Sequence, residues 1–201
     1  MAIRTINEKI KYIAATNDPL SADIGIITEK AGTWLFDVGA DEKVLAELNG
    51  KYNIVISHFH QDHTGNISRI LADNLYVSKE TAKHIPDFTG NIVSEDLYLE
   101  DIHIFPIPSS HSKGCLGLEV DGEYAFVGDA LYSKVDPDYY LFNAQLLKDE
   151  INILNDLHAD KLLVSHYGGL VRDKSEVLEE LVEIYSLRTR DDPLIRVPRE
   201  G

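Results

Sequence analysis

Three imidazoles and one carboxylate lie within the six residues His58-Phe59-His60-Gln61-Asp62-His63. This segment directly follows the apolar run 53–56, which has the composition of a buried strand. Polar side chains at this density are costly beside a core strand unless they bind something. Clustered histidine and aspartate are the ligands that a borderline-soft divalent cation selects. The segment therefore predicts a metal site.

The spacing of these residues divides them between two cations. In an extended segment, residues two apart project to the same side. We therefore expect His58 and His60 to bind one cation while Phe59 turns toward the core. Asp62 and His63 follow where the chain bends, and we expect them to face a second cation.

Further strand-like runs also end in a histidine or an aspartate. His111 lies at the centre of the polar loop 109–114, Asp129 follows the run 124–127, and His166 follows the run 161–165. Loops held by rigid strands commonly present ligands. The complete candidate set is His58, His60, Asp62, His63, His111, Asp129 and His166. These side chains suffice for two cations if one carboxylate is shared.

The elements that must position these ligands are mostly short strands. A chain of 201 residues with 44% hydrophobic content can bury one sizeable core, so we predict a single domain over residues 1–201. Alternation and turn residues predict strands at 9–15, 23–28, 33–39, 53–56, 75–77, 97–99, 102–107, 115–120, 124–127 and 161–165. Helical patterns occupy 41–48, 64–71, 78–84, 144–157 and 175–187, with Ser78 and Ser175 as the expected caps of two of them. Residues 189–201 are expected to form a C-terminal tail that frays or packs on a partner subunit, as in a homodimer.

The charge balance narrows the class of partner. A formal net charge of -15 argues against general binding to nucleic acid or to an anionic membrane, since both depend on basic surface. It still permits a small anionic substrate, because bound cations reverse the local field. The chain has one cysteine, Cys115, so no intrachain disulfide can form. Without a leader-like start or an apolar run of membrane-spanning length, we expect a soluble cytoplasmic protein with a small-molecule substrate.

At these residues the chain resembles the metallo-β-lactamase superfamily over nearly its full length. The resemblance rests on His58-x-His60-x-Asp62-His63, His111, Asp129 in Val-Gly-Asp, His166 in Val-Ser-His-Tyr-Gly, and Asp37 in Phe-Asp-Val-Gly. It implies an α+β fold, a four-layer αββα sandwich in one domain. It also implies that His58, His60 and His111 bind one metal, that Asp62, His63 and His166 bind another, and that Asp129 bridges them. Asp37 would support the ligands from behind or serve only as a strand-end turn residue. The resemblance makes zinc the most expected metal, with iron or manganese as alternatives.

The same resemblance separates the branches of the superfamily. The β-lactamases would be expected to carry cysteine or serine in place of Asp129, and the flavodiiron oxidoreductases carry glutamate in place of His60 together with a flavin domain. The remaining likeness is to glyoxalase II-like thioesterases, lactonases and phosphodiesterases. The chain lacks the long C-terminal helical extension of glyoxalase II and the long insertion of RNase Z.

Two divalent cations at roughly 3.5–4 Å would acidify a water between them to a pKa near 7. We therefore expect a dinuclear hydrolase that uses a metal-bound hydroxide, oriented by Asp62, on a small ester, thioester or lactone. A phosphodiesterase for a small nucleotide and a catalytically silent metal-binding module are the alternatives. Tyr132, Lys134 and Tyr167 are the candidate substrate contacts, with core packing as the alternative role of the tyrosines.

Overall fold

The computed structural model describes residues 2–199, which form two facing β-sheets with helices on their outer sides. The strands are β1 (Ile3–Thr5), β2 (Ile10–Ile13), β3 (Thr16–Asn17), β4 (Leu20–Ser21), β5 (Ile24–Glu29), β6 (Gly32–Phe36), β7 (Lys51–Val55), β8 (Leu71–Val77), β9 (Asn91–Ile92), β10 (Leu97–Leu99), β11 (Ile102–Ile107), β12 (Cys115–Val120), β13 (Tyr124–Gly128), β14 (Lys134–Val135), β15 (Tyr139–Asn143), β16 (Lys161–Val164), β17 (Val171–Asp173) and β18 (Leu194–Pro198). The helices are α1 (Gln61–Thr64), α2 (Lys79–Ala82), α3 (Ala144–Asp156) and α4 (Lys174–Ser186), with 3-10 helices at Glu42–Ala46 and Ile67–Arg69.

The first sheet has the strand order β1-β2-β5-β6-β7-β8-β9, and the second has the order β10-β11-β12-β13-β16-β17. Strands β14, β15 and β18 form a smaller sheet, and β3 pairs with β4. Most neighbours are antiparallel, but β6 runs parallel to β7 and β13 runs parallel to β16. Parallel neighbours end at the same edge of a sheet, which is where ligands of open α/β sheets gather. The loops after these strands therefore start side by side.

Apolar side chains fill the spaces between the layers. Between the sheets, the rings of Phe36 and Phe126 lie 5.2 Å apart. Outside the second sheet, buried Leu147 of α3 and Leu181 of α4 pack on the strands, and outside the first sheet Val44 of the 3-10 helix does so. Burial on both faces of each sheet requires a covering layer on each side. The α+β class and the four-layer αββα sandwich predicted from the sequence are confirmed.

The helix after the histidine cluster differs from the sequence expectation. Helix α1 ends at Thr64, and Leu71 begins strand β8, so only the short 3-10 helix Ile67–Arg69 forms within the predicted helix over 64–71. The carbonyl of His63 accepts a hydrogen bond from the N–H of Val38 at 3.0 Å instead of from the next helical turn. A contact with a residue distant in sequence thus overrides the local periodicity. Phe59, expected in the core, is half-buried and stacks on His84 with 4.2 Å between the ring centroids.

The C-terminal segment packs within the chain itself. Strand β18 pairs antiparallel with β15 over five residue pairs, and its Ile195 is 1% exposed. Residues 194–198 therefore do not fray, whereas the expected packing on a partner subunit stays a prediction, and residues 200 and 201 lie outside the described part. The cap of α4 is Asp173 rather than Ser175, whereas Ser78 caps α2 as expected. No helix within residues 2–199 has the length and apolarity needed to cross a membrane.

Candidate metal centre

The first group of candidate ligands consists of three imidazoles at the ends of β7 and β11. His60 Nδ1 lies 2.9 Å from His58 Nε2 and 3.1 Å from His111 Nε2. His58 is fully buried, and the other two rings are half-buried. A neutral imidazole has one donor and one acceptor nitrogen, so three nitrogens that face one another are poorly satisfied by hydrogen bonds alone. Their lone pairs are arranged to converge on one cation.

The second group contains two carboxylates and two imidazoles. Asp62 and His63 come from α1, Asp129 follows β13, and His166 follows β16, and one ligand atom of each lies within 4.8 Å of all the others. His166 Nε2 lies 3.0 Å from an Asp62 oxygen, and His63 Nε2 lies 3.4 Å from oxygens of both Asp62 and Asp129. This mixture of oxygen and nitrogen donors suits a divalent transition metal.

Asp129 lies between the two groups. Its Oδ2 is 3.4 Å from His111 Nε2 in the first group and 3.4 Å from His63 Nε2 in the second. Gly128 permits this approach, because a Cβ at Gly128 would lie 2.7 Å from the Cβ of Ser57, and its φ of +55° is unfavourable for other residues. One carboxylate can therefore contribute to both groups, as the resemblance implied.

Two buried polar atoms in this region have no hydrogen-bond partner within residues 2–199. They are Nε2 of His63 and Oδ1 of Asp129. A buried polar atom without a partner costs free energy. Both atoms belong to the proposed ligands, and a cation in the second group would satisfy them. The residues present therefore fit a metal on a criterion that is independent of the sequence motif.

Asp37 holds His63 from behind. Its Oδ2 lies 2.7 Å from His63 Nδ1, and its two oxygens accept hydrogen bonds from the N–H and the hydroxyl of Ser57, both at 2.8 Å. The carboxylate directs the proton of His63 to Nδ1 and leaves the lone pair of Nε2 free for a metal. Asp37 adopts φ +61°, a conformation that aspartate and asparagine tolerate better than most residues. Asp37 thus occupies the supporting position that the resemblance allowed.

Asp23 is a residue near the site that the sequence did not reveal. Its Oδ2 accepts a hydrogen bond from the backbone N–H of His166 at 2.9 Å, and its own N–H donates to the hydroxyl of Ser165 at 3.1 Å. His166 has φ +60°, so its backbone needs external contacts to hold it. Asp23 provides such a contact from the start of β5, a strand distant in sequence, and no local pattern marks it.

The protonation of the histidines differs between the groups. Burial lowers the pKa of His58, His60 and His111, so these rings are neutral and their lone pairs are available. Burial also opposes the protonation of His63, but the nearby Asp37 and Asp129 carboxylates raise its pKa to about 10. The hydrogen bond to Asp62 raises the pKa of His166. The carboxylates of the second group thus favour the protonated forms of His63 and His166. A bound cation would replace these two protons.

The three candidate substrate contacts lie in different surroundings. Tyr167 is 44% exposed and lines a cavity of about 240 Å³ beside His166. The hydroxyl of Tyr132 donates to the carbonyl of Ser165 at 2.7 Å, and its ring packs on the core beneath α3. Lys134 is exposed on β14 and does not line this cavity. Tyr167 thus lies beside the site, and Tyr132 also reaches it, because its ring centroid lies 6.3 Å from that of His111 while its hydroxyl supports the strand end that carries His166.

Comparison with known proteins identifies the fold. No protein-family model and no curated protein matches the chain. Among solved structures, the DIM-1 metallo-β-lactamase matches with a TM-score of 0.67 and 14% identity over 92% of this chain and 96% of that one. A metallo-β-lactamase from Hirschia baltica matches with a TM-score of 0.66 and 14% identity over 92% and 97% of the two chains. The chemotaxis sensor ODP, in its peroxy diiron species, matches with a TM-score of 0.67 and 16% identity over 90% and 94%.

The chain therefore has the metallo-β-lactamase fold. Its similar structures include metal-dependent hydrolases and a sensor, so the fold is shared by proteins with different activities. The resemblance to the glyoxalase II-like branch stays a prediction.

Proposed function

We propose that the chain is a metal-dependent hydrolase that cleaves a small ester, thioester or lactone at a dinuclear centre. The observation that carries this proposal is the meeting of two ligand groups at Asp129, beside the buried Nε2 of His63, which has no hydrogen-bond partner among the described residues. Zinc suits four-coordinate sites of imidazole and carboxylate. Iron and manganese remain alternatives, since imidazole also suits iron and carboxylate suits manganese.

The cations, when bound, supply Lewis acidity toward the substrate and lower the pKa of a water molecule. In this proposal Asp62 would orient that water and accept its proton, in addition to its role as a ligand. Its side chain is 15% exposed, whereas that of Asp129 is 7% exposed. Asp62 Oδ2 also lies 3.0 Å from His166 Nε2, which fixes the direction of the carboxylate.

The nucleophilic side chains near the site favour attack by water over a covalent intermediate. Ser57 is fully buried, and its hydroxyl donates to Asp37 at 2.8 Å. Cys115 is 1% exposed, and burial raises the pKa of its thiol to about 12. A thiol with so high a pKa is a poor nucleophile at neutral pH. The net charge of -15 supports a small-molecule substrate rather than nucleic acid or an anionic membrane.

The test combines metal analysis with a substrate panel. The purified chain is expected to contain zinc, iron or manganese and to hydrolyse members of a thioester, lactone and aryl ester panel. A chelator should abolish turnover, and the metal should restore it. Asp62→Asn should lower kcat by about 100-fold or more, as expected for the loss of a general base. Asp41→Asn is the control for the same change of side chain, because Asp41 is an aspartate that caps the 3-10 helix instead of facing the ligands.

The same panel distinguishes the alternatives. Hydrolysis of bis(p-nitrophenyl) phosphate without activity on acyl substrates would replace the proposal with a phosphodiesterase. Firmly bound metal without turnover of any substrate would make the chain a silent metal-binding module. An Asp62→Asn variant that loses no more activity than Asp41→Asn would remove Asp62 from the mechanism.

A further inference from the structure

The cavity of about 240 Å³ opens directly beside the candidate metal centre. One wall is His166 and the turn Tyr167-Gly168-Gly169, and the opposite wall comes from β1 and β2 with Arg4 and Tyr12. Because His166 also belongs to the second ligand group, a molecule in this cavity lies next to that group. The cavity is smaller than the roughly 300–1,000 Å³ typical of drug-sized ligands, so it suits a small group.

Arg4 is the one lysine or arginine among the residues that line this cavity. It is exposed, and within residues 2–199 it forms no ion pair with a carboxylate. Its guanidinium lies 5.8 Å from the ring centroid of Tyr12, its cross-strand neighbour. In a chain with a net charge of -15, this arginine has no direct ion pair among the described residues, although it lies beside the candidate metal centre. A guanidinium binds carboxylate and phosphate through paired hydrogen bonds.

The hydrogen bond to Tyr12 and the charge of Asp23 both raise the pKa of Arg4, but Asp23 forms no direct ion pair with the guanidinium among the described residues. Asp23 is 7% exposed, and its oxygens accept hydrogen bonds from the N–H groups of Ala15 and His166 at 3.0 and 2.9 Å. Its charge is therefore directed into the protein. The turn opposite adds donors, because the N–H groups of Gly168 and Gly169 have no acceptor within the described part of the chain. A Cβ at either glycine would meet nothing within 4 Å, so this backbone is open to a ligand.

We propose that Arg4 determines substrate specificity by binding an oxyanion, a carboxylate or a phosphate, on the part of the substrate remote from the cleaved bond. This inference rests on the proposed hydrolase function and narrows its substrates to small anionic esters or thioesters. The cationic Arg4 and the free N–H groups bind the oxyanion, and the cleaved bond then lies toward His166 and the metals. Arg4 acts on binding, so its contribution falls on KM.

The test uses a neutral ester and two matched esters that carry a terminal carboxylate or a terminal phosphate. The wild-type protein should prefer a charged ester by about tenfold in kcat/KM, in line with one charged hydrogen-bonding contact near solvent. Arg4→Ala should abolish that preference through KM and leave the neutral ester unaffected, and Arg4→Lys should recover part of it. Arg188→Ala is the control, because Arg188 is also an exposed arginine resting on a tyrosine ring but does not line the cavity.

Equal loss on all three esters in Arg4→Ala, or no preference in the wild-type protein, would overturn the inference. A binding experiment separates this result from failure of the hydrolase proposal. Calorimetry of the metal-loaded protein with glutarate and with inorganic phosphate should show about tenfold weaker binding in Arg4→Ala. If no ester is hydrolysed but this difference is seen, the anion site stands and the hydrolase proposal fails. If binding is unchanged in Arg4→Ala, the anion site is refuted whatever the activity.

Discussion

Asp37→Asn is expected to weaken binding of the second cation while preserving the fold. Asp37 accepts hydrogen bonds from Ser57 N–H and Ser57 hydroxyl at 2.8 Å, and it lies 2.7 Å from His63 Nδ1. Asparagine keeps the size and tolerates the φ of +61°. However, the asparagine side chain has an NH2 group where aspartate has a second acceptor oxygen. If the amide oxygen stays on Ser57 N–H, the NH2 group faces His63 Nδ1.

The expected magnitude follows from the proton on His63. An NH2 group beside Nδ1 favours the tautomer with its proton on Nε2, the atom that would bind the metal. Loss of such a supporting partner typically costs 10- to 100-fold in metal affinity, or about 1.4–2.8 kcal/mol. Asp37 reaches the first ligand group only indirectly, through the Ser57 hydroxyl that lies 3.0 Å from His58 Nδ1, so the metal affinity of that group should change less.

Competition with a chromophoric zinc chelator gives both dissociation constants, and elemental analysis gives the metal content. Asp41→Asn serves as the control, since Asp41 is 3% exposed and its side chain accepts a hydrogen bond from Lys43 N–H away from the ligands. Two tightly bound cations in Asp37→Asn, with an unchanged circular dichroism spectrum, would refute the role assigned to Asp37. Equal weakening in Asp41→Asn would attribute the effect to general destabilisation.

Other predictions concern stability. Gly117→Ala should lower the free energy of unfolding by about 1–3 kcal/mol, because the new Cβ would lie 2.2 Å from the ring of Phe105. Gly168→Ala should change the free energy of unfolding by less than about 0.5 kcal/mol, because the space around Gly168 is open. Urea titration of the two variants measures the difference. Burial raises the pKa of the Glu150 carboxyl well above its usual value. The folded protein therefore keeps the proton of Glu150 at a pH above about 4.5, where the unfolded chain loses it. As a result, the free energy of unfolding falls as the pH rises. Glu150→Gln should therefore stabilise the metal-free protein more at pH 8 than at pH 5, and an equal effect at both would contradict this. Chelation should lower the thermal midpoint, and zinc at 100 times its dissociation constant should restore about 2.7 kcal/mol; a midpoint unchanged by either would argue against a metal site.

The ligand residues could be recognised from the sequence because their signals are local. His58 and His60 follow a strand at a spacing of two, and Asp62 and His63 follow at once, so their types and order are visible in six residues. The strands that precede Asp129 and His166 could also be recognised from the sequence, because strands buried on both faces have nearly continuous apolar runs. The fold class was predicted through the family resemblance that these ligand motifs carry.

Local pattern failed where distant contacts compete with it. Helical periodicity after His63 gave way to strand β8, since the carbonyl that would continue the helix is bonded to Val38. The prolines and charges of the C-terminal segment suggested a tail, but pairing of residues 194–198 with β15 satisfies their backbone and buries Ile195.

The sequence by itself determined which side chains can bind metal and that strands would present them. Only the tertiary structure decided that these strand ends meet, that Asp23 holds His166, and that Arg4 faces the same cavity. The physical reason is that side-chain chemistry and periodicity are properties of neighbouring residues. Strand order, register and the approach of separate loops depend instead on how the whole chain buries its apolar surface.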